Sequence, residues 1–244
     1  MKKRFFLLIL ALLLLFSLPV ISCGEDAGAP VPGDTLFFGS FPQTAEGTDS
    51  TPIEWIVLDV REGKCLLLSR YGLYAGPLHT EKDRQVTWET YSVRSWLNGD
   101  FFAAAFSVQE QAAILVTDVD NSAAQGYEGW NPQDENTTQD RVFLLSYAEA
   151  HQYLQLAYHD PEVTGSRSRL APTEYAKQAG AWTTDEILTP DGLDTGWWLL
   201  RSPGPSPDLG SCVNNGGSLS DCPFTLHTGC IRPALWIDPG LLED

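Results

Sequence analysis

Side chains of the types that form a hydrolytic triad occur together in the last fifth of the chain. Ser202, Asp208 and His227 are a nucleophile, an acid and a base by type, and Cys230 with His227 makes a second such set. Neither set lies in a recognisable nucleophile elbow or at a helix start, where such groups are usually activated. We therefore predict no catalytic site, and hydrolase chemistry stays an alternative.

Metal-ligating residue types are scattered along the sequence. The four histidines lie far apart, and the C-terminal cysteines are spaced ten and eight residues apart rather than in the close pairs of most zinc sites. Asp118, Asp120 and Asn121 form the one tight group of oxygen donors, and three such donors are not a calcium site by themselves. We predict no metal and no cofactor.

The N-terminal residues have the pattern of an export signal. Three basic residues at positions 2–4 precede an apolar run over residues 5–18, which suits a signal-peptide core and is short for a membrane span. The following Val20-Ile21-Ser22-Cys23 resembles a bacterial lipobox. We predict a signal peptide over residues 1–22, lipidation of Cys23, a tether over 23–33 and a location at the bacterial cell surface. An ordinary secretory signal with a coincidental cysteine is the alternative.

Four further cysteines follow the lipobox, namely Cys65, Cys212, Cys222 and Cys230. An even number in an exported chain allows three pairings if all four form disulfides. A Cys212–Cys222 or a Cys222–Cys230 bond suits an oxidising compartment, and so do isolated thiols. The sequence leaves the redox state open.

Composition narrows the class of partner. The 244 residues include 32 acidic and 15 basic side chains, for a net charge of −17, with no basic stripe after residue 4. Nucleic-acid binding needs clustered lysines and arginines, so we predict no nucleic-acid partner, and membrane contact only through the lipid anchor. With 43% hydrophobic residues and eight tryptophans, residues 34–240 are predicted to form a single domain.

Local patterns predict elements in the first half of the domain. Apolar runs over Ile53 to Val60 and Lys64 to Ser69 flank Arg61-Glu62-Gly63, which predicts a buried hairpin. Helical spacing from Tyr91 to Phe106, with a break at Asn98-Gly99, predicts two short helices.

Capping signals predict three more helices. Ser107 with Glu110, and Ser146 with Glu149, have the capping-box spacing, in which the serine hydroxyl accepts from the backbone amide of the glutamate. The second of these helices is expected to run to about Tyr158. A third helical turn is expected from 172–173 up to 180.

A polar stretch from Asn121 to Asp140 predicts a long surface loop or flap. Tyr127 and Trp130 are its large apolar side chains and are suited to meeting a carbohydrate ring. Residues 141–145 are predicted to form a short strand. The tryptophans predicted to be core are Trp55, Trp88, Trp96, Trp197, Trp198 and Trp236.

Two aromatic strands are predicted near the C terminus, over Trp197 to Ser202 and Ile231 to Ile237. Between them, residues 203–229 are rich in Gly, Pro, Ser and Asn, which predicts loops with one short strand near 211–213 and no contribution to the core. Arg201 and Arg232 each lie beside tryptophan, where a guanidinium can stack on an indole and brace this segment. The predicted scaffold residues are Trp197, Trp198, Arg201, Arg232 and Trp236.

Six phrases together resemble a bacterial family known as a domain of unknown function, DUF6273, over about residues 34 to 238. The phrases are Phe38-Gly39-Ser40-Phe41-Pro42-Gln43, Pro52-Ile53-Glu54-Trp55, Val86-Thr87-Trp88-Glu89-Thr90, Ser95-Trp96-Leu97-Asn98, Trp197-Trp198-Leu199-Leu200-Arg201-Ser202-Pro203-Gly204 and Ile231-Arg232-Pro233-Ala234-Leu235-Trp236-Ile237.

The C-terminal phrases also resemble the C-type lectin-like fold in its formylglycine-generating-enzyme subtype, although the Gly-Asn-Val-Trp-Glu-Trp phrase typical of that fold is absent. This resemblance implies an α+β fold with short helices around small twisted antiparallel sheets. It also raises oxidase chemistry at a reactive cysteine, but the catalytic motif of those enzymes does not match Cys222 or Cys230.

Some proteins of that fold group are the variable proteins of diversity-generating retroelements, in which adenine changes randomise a ligand-binding surface. Such changes in an Asn-type codon never produce Lys, Glu, Gln, Met or Trp. By proportion a stretch of this length would hold about four of these residues, and residues 203–229 hold none. A Gly/Pro/Ser-rich loop also disfavours those residues.

We therefore predict a surface lipoprotein, not an enzyme, that binds an unknown protein or glycan ligand through its C-terminal loops. The alternatives are a secreted enzyme of the formylglycine-generating type and a glycan-binding module without diversification, in which Trp130 carries the binding. The predicted contact residues are Ser206, Asp208, Leu209, Ser211, Asn214, Asn215, Ser218, Ser220, Asp221, Phe224, Leu226 and His227.

Overall fold

The computed structural model describes residues 29–81, 86–126, 136–156, 158 and 168–242. The predicted signal peptide, Cys23, Tyr127 and Trp130 lie outside the described residues. The strands are β1 (Thr35–Phe41), β2 (Thr51–Arg61), β3 (Lys64–Ser69), β4 (Tyr74–Ala75), β5 (Thr117–Asp120), β6 (Thr137–Asp140), β7 (Thr184–Leu188), β8 (Asp194–Thr195), β9 (Trp198–Pro203), β10 (Leu209–Val213), β11 (Leu219–Pro223), β12 (Cys230–Ile231) and β13 (Ala234–Ile237).

Five short α-helices lie between these strands. They are α1 (Ser92–Trp96), α2 (Phe102–Ala105), α3 (Val108–Ala113), α4 (Tyr147–Leu154) and α5 (Glu174–Gln178). Single 3-10 turns occur at Trp88–Thr90, Ala123–Gln125 and Pro239–Leu241. No helix in the described ranges is long and apolar enough to cross a membrane.

The strands form two small sheets and two ribbons. One sheet has the order β1-β2-β3-β13, the other the order β11-β10-β9-β12-β4, and β5-β6 and β7-β8 pair separately. All pairs between these strands are antiparallel except β12 with β9. The predicted α+β class, with short helices and small antiparallel sheets, is confirmed at this level.

The hairpin of β2 and β3 forms as predicted. Arg61 pairs with Lys64, and the two residues between them, Glu62 and Gly63, have φ angles of 51° and 78°. Two successive positive φ angles give a turn whose twist matches that of the paired strands. The hairpin carries much of the first sheet's core, including Trp55, whose Nε1 donates to the Phe38 carbonyl at 2.7 Å.

The predicted helix break at Asn98-Gly99 is wrong. The chain stays helical from α1 to α2 through a wider π-helical turn, Leu97–Phe101. The Asn98 side chain donates to the Val142 carbonyl at 2.8 Å and accepts from the Arg141 and Val142 amides at 2.8 and 3.1 Å. These tertiary hydrogen bonds hold Asn98 in the helix against its weak intrinsic helix propensity.

Three predicted helix starts are confirmed. Ser107 caps α3 and Ser146 caps α4, each in a reciprocal capping box with the glutamate three residues later. Thr173 caps α5 by accepting from the Ala176 amide at 3.1 Å. Helix α4 ends at Leu154 rather than Tyr158, because Gln155 takes a left-handed φ of 57°.

The middle of the chain differs from prediction at two points. Thr137–Asp140 forms β6 rather than loop, and Asp140 is buried, where it accepts from Trp88 Nε1 at 2.9 Å and Arg94 Nε at 2.7 Å. Residues 141–145 make a single bridge, Phe143 with Ala234, rather than a strand. The side-chain bonds of Asp140 span 46 and 52 residues, so local sequence patterns do not show them.

The last predicted strand divides into β12 and β13, which belong to different sheets. The division falls at Arg232 and Pro233, and the Pro233 carbonyl accepts from the Ser69 amide at 2.9 Å. Proline has no amide hydrogen for a central strand, which accounts for the interruption. This short connection joins the two sheets.

Candidate ligand-binding surface of the C-terminal segment

Residues 203–229 form a β-hairpin at the edge of the five-stranded sheet. Strands β10 and β11 pair from Leu209–Pro223 to Val213–Leu219, and the turn is closed by the Asn214 amide donating to the Ser218 carbonyl at 2.8 Å. The prediction of one short strand and no core contribution is therefore wrong. Val213 and Leu219 are fully buried, because both pack into the hydrophobic core.

Three predicted contact residues are buried within this hairpin. Ser211 and Ser218 are 0% and 5% exposed, and Phe224 is 3% exposed. The Ser211 hydroxyl donates to the Pro203 carbonyl at 2.9 Å, and the Phe224 ring lies 6.3 Å from the His79 ring. These side chains pack the sheet, which corrects the prediction that they face a ligand.

The other predicted contacts are at least partly exposed and fall into two groups. Leu209 and Val213, at the two ends of β10, are about 14 Å apart at roughly 3.4 Å per residue, and Asp221 lies midway along the pair, opposite Ser211. Those in the turn or on β11 are Asn214, Asn215, Ser220 and Asp221, and those near the opposite end are Ser206, Asp208, Leu209, Leu226 and His227.

The loops at that opposite end are joined to each other. The Phe224 amide donates to the Asp208 carbonyl at 3.2 Å, and the Ser206 hydroxyl donates to the Asp208 carboxylate at 2.6 Å. The Ser206 bond lowers the pKa of Asp208 below its ordinary value. Leu226 and His227 remain exposed at this end.

Trp182 adds an exposed aromatic ring to the same region. Its backbone amide donates to the Thr228 carbonyl at 3.1 Å, and its side chain is 46% exposed. Sequence patterns did not identify Trp182, because its neighbour in space lies far away along the chain. We call residues 204–208, 225–228 and Trp182 the loop surface.

The predicted scaffold residues divide between the two sheets, with Trp198 on β9 and Trp236 on β13 of the other sheet. The Arg232 guanidinium lies 4.9 Å above the Trp198 ring, and the Trp198 Nε1 donates to the Ser168 carbonyl at 3.0 Å. Trp197 packs so closely on Gly229 that a Cβ there would lie 2.6 Å from the indole. Trp236 is half-buried and lies 5.6 Å from the guanidinium of Arg61.

Arg201 differs from its predicted role. It lies 5.8 Å from the ring of Phe143 rather than on a tryptophan, and it forms an ion pair with Glu149. It also donates to the carbonyls of Leu144 and Asp120 at 2.9 and 3.0 Å. Arg201 therefore braces α4 and the end of β5, not the 203–229 segment.

The residues considered for catalysis are engaged in the fold. Ser202 is buried, and its hydroxyl donates to the Gln125 carbonyl at 2.7 Å and accepts from the Tyr147 amide at 2.9 Å. No histidine in the described ranges lies within hydrogen-bonding distance of the Ser202 hydroxyl. Burial raises the pKa of Cys230 to about 12, so at neutral pH it is a thiol rather than a thiolate.

The four cysteines Cys65, Cys212, Cys222 and Cys230 are buried free thiols. A hydrogen bond with Cys212, together with burial, raises the pKa of Cys222. The sequence left disulfide pairing open, and this structure contains no disulfide bond among these four cysteines.

The carboxylates near β5 form hydrogen bonds with different residues. Asp118 accepts from Gln139 at 3.2 Å, and Asp120 accepts from the Ser122 amide at 2.8 Å. No group of three or more potential metal ligands from His, Cys, Asp and Glu occurs in the part of the chain that the structure describes.

The fold defines the chain as an α+β protein in which small antiparallel sheets hold exposed C-terminal loops. The chain belongs to the family described as a domain of unknown function, DUF6273, whose family model matches residues 62–239. The matched range leaves out the two earliest phrases of the resemblance, at 38–43 and 52–55. Comparisons with the curated proteins and with the solved structures found no match.

Proposed function

We propose that this protein is an exported, lipid-anchored binding domain without a catalytic role, which recognises a protein or glycan ligand through the loop surface. The proposal includes a C-type lectin-like fold of the formylglycine-generating-enzyme subtype. The observation that supports it best is the exposure of Trp182 and Leu226, at 46% and 40%, beside a strand pair that is largely buried. Tryptophan is enriched among the residues that dominate binding energies at interfaces.

The neighbours of these two apolar side chains suit recognition. Ser206, Asp208 and His227 offer hydroxyl, carboxylate and imidazole groups on short side chains, which lose little rotamer entropy when a ligand orders them. The loops themselves are anchored by Leu209–Pro223 pairing and by the Trp182–Thr228 hydrogen bond. A surface that is already ordered loses less conformational entropy when a ligand binds, so less of the binding free energy is offset.

The test is binding of the purified full-length chain to an array of bacterial and host glycans, and to whole cells for protein ligands. Trp182→Ala is expected to reduce binding at least about tenfold, since an interface hot spot costs about 2 kcal/mol or more when truncated, and Leu226→Ser is expected to reduce it by about fivefold, or about 1 kcal/mol. Val108→Ser is the matched control, because Val108 is 85% exposed on α3. Binding of wild-type strength by both the Trp182→Ala and the Leu226→Ser variant would contradict the proposal.

The proposal also includes diversification of the 203–229 segment by a retroelement. The absence of five residue types from 203–229 supports it, and the exposed positions of that segment tolerate varied side chains better than its buried ones. We expect a near-copy of the codons for residues 203–230, differing at adenines, beside a reverse-transcriptase gene. We also expect fewer adenine differences at the codons of the buried residues Ser211 and Phe224 than at the exposed positions. Equal frequencies at buried and exposed codons would show that burial does not limit the variation.

Lipid anchoring is tested separately at Cys23, which lies outside the described residues. Metabolic labelling with a palmitate analogue is expected to mark the wild-type protein and not Cys23→Ser. A matched Cys65→Ser variant keeps the lipobox and should stay labelled. Equal labelling of both variants would contradict anchoring through Cys23.

A further inference from the structure

A separate cleft lies between the first sheet, through Thr35 and Ile56, and the connection from β7 to β8, and it carries a concentration of positive charge. Its volume is about 300 Å³, and no residue of the loop surface lines it. The lining residues that matter for binding are Thr35, Arg70, Tyr71, Arg169, Thr189 and Arg232. They come from separate stretches of the chain, so only the tertiary structure brings them together.

The charge balance of the cleft is opposite to that of the chain. The protein has 32 acidic and 15 basic side chains, yet among the described residues three guanidinium groups line the cleft against one carboxylate, Asp191. Arg70 is neutralised in place, since it pairs with Asp191 and with Glu54, the latter at 3.1 Å. The positive character of the cleft therefore depends most on Arg169, which forms no salt bridge within the described residues.

Arg169 is held by neutral groups in the part of the chain that the structure describes. Its Nη1 donates to the Leu188 carbonyl at 3.0 Å and its Nε to the Gly216 carbonyl at 3.4 Å. Within the described residues it forms no salt bridge, and its Nη2 has no hydrogen-bond acceptor. The two carbonyl bonds fix the guanidinium plane while leaving donors for another molecule.

Arg232 is the buried member of the group. Its guanidinium is held above the Trp198 ring, and its Nε donates to the Ser69 carbonyl at 2.8 Å. Burial lowers its pKa to about 9, and the nearby charge of Arg70 adds to that lowering. An anion in the cleft offsets both effects.

We propose that this cleft binds an oxyanion group, a carboxylate or a phosphate, carried by a small molecule. Guanidinium groups match the planar geometry of both anions and bind them with paired hydrogen bonds. The hydroxyls of Thr35 and Thr189 lie on the same lining and can add donors. A volume of this size is at the lower end for a small-molecule site.

Space for the remainder of such a molecule exists next to the cleft. A second cavity of about 360 Å³ shares Tyr71, Ala171 and Leu193 with it and extends along α5 to Lys177. The Tyr71 ring at the junction can pack against an apolar or sugar portion of the ligand. This site is independent of the loop surface, so either proposal can fail without the other.

The test is calorimetric titration of the purified full-length chain with inorganic phosphate and, separately, with succinate, each against sodium chloride at equal ionic strength. Saturable binding of one of the two anions is expected, and the one that binds identifies the group. Arg169→Gln is expected to weaken that binding at least about tenfold, because it removes a charged hydrogen-bond donor. Arg141→Gln is the control, since Arg141 is exposed and lies over Phe102.

A second pair of variants keeps the test valid if Arg169→Gln does not fold. Thr35 is exposed at the start of β1, so Thr35→Glu adds a tethered carboxylate at the cleft and Thr35→Gln adds the same length without charge. The first is expected to weaken anion binding at least about tenfold and the second less than about twofold. Heats no larger than those of sodium chloride, or equal affinities in both variants, overturn the proposal.

Discussion

Two buried arginines, one in β9 and one directly after β12, have different surroundings. Arg201 and Arg232 are 2% and 1% exposed. Arg201 meets the carboxylate of Glu149, with its Nη2 donating to Oε1 at 2.8 Å, so its charge is compensated within the fold. Arg232 stacks on Trp198 and lies near another positive charge, that of Arg70.

This difference separates a structural arginine from a candidate binding one. A buried charge is costly unless a counter-charge or hydrogen bonds compensate it. At Arg201 the compensation comes from α4, and the site has no need of a ligand. At Arg232 the guanidinium borders a cleft that is also lined by Arg70 and Arg169, so an external anion can add counter-charge there.

The largest expected effect comes from removing the counter-charge of Arg201. Glu149→Gln keeps a side chain that can cap α4 but leaves the guanidinium uncompensated, and we expect a loss of about 3 kcal/mol in the free energy of unfolding. Urea denaturation measures it. Glu174→Gln is the control, because the Glu174–Lys177 pair is exposed and its loss should cost less than about 0.5 kcal/mol. A loss below about 1 kcal/mol for Glu149→Gln would contradict the structural role.

The next prediction asks whether Cys230 is ionised in the folded protein and so acts as a counter-ion for Arg232. Its pKa is raised to about 12 in the folded protein by burial, so the folded state keeps the thiol proton that the unfolded state releases above about pH 8.5. Stability is therefore fully present below that pH and is lost as pH rises toward the folded value. Between about pH 8 and pH 10 the wild type should lose about 2 kcal/mol more than Cys230→Ala.

Urea denaturation under reducing conditions at the two pH values measures this difference. Cys222 and Tyr91 also have raised pKa values in the fold and contribute to the pH dependence of stability in the same direction. Because both proteins contain them, their contributions cancel in the comparison. Equal pH dependence in the two proteins would mean that Cys230 is ionised in the fold. It would then neutralise Arg232, and the contrast with Arg201 would disappear.

The smallest effect concerns the cleft itself. At neutral pH, Thr35→Glu should be more stable than Thr35→Gln by about 0.5 kcal/mol, because the added carboxylate lies beside the cleft guanidiniums. Those groups lower the pKa of the new carboxyl, so the advantage is present above its unfolded pKa of about 4.3 and is lost as pH falls through the folded value. Thermal unfolding at neutral pH and at about pH 3 measures it. A glutamate variant less stable than the glutamine variant at neutral pH would indicate a cleft without positive potential.

Much of the secondary structure follows from short-range sequence signals. The helix starts at Ser107, Ser146 and Thr173 depend on hydrogen bonds that span three residues, so their residue types predict them. The β2–β3 turn depends on two adjacent residues, Glu62 and Gly63. Interactions of this range are the same in almost any tertiary context.

The candidate sites were predicted less completely. The sequence identified the 203–229 segment and the exposed Leu226 and His227, but it placed Ser211, Ser218 and Phe224 on the surface. A Gly- and Ser-rich composition suggests solvent exposure, whereas β10 is buried on both faces and the hairpin contributes Val213 and Leu219 to the core. Trp182 joins the loop surface through a backbone hydrogen bond to Thr228, which no sequence pattern indicates.

The sequence by itself determined the family and, through the resemblance, the α+β class. It also determined the caps and the first hairpin, because these depend on residue types and on neighbours a few positions apart. Only the tertiary structure decided which arginine is neutralised by a carboxylate and which borders a cleft. The Arg201–Glu149 contact spans 52 residues and the Arg232–Ser69 contact spans 163. Charge compensation depends on distance in space, and such distances are set when elements far apart in the chain, such as β9 and α4, pack together.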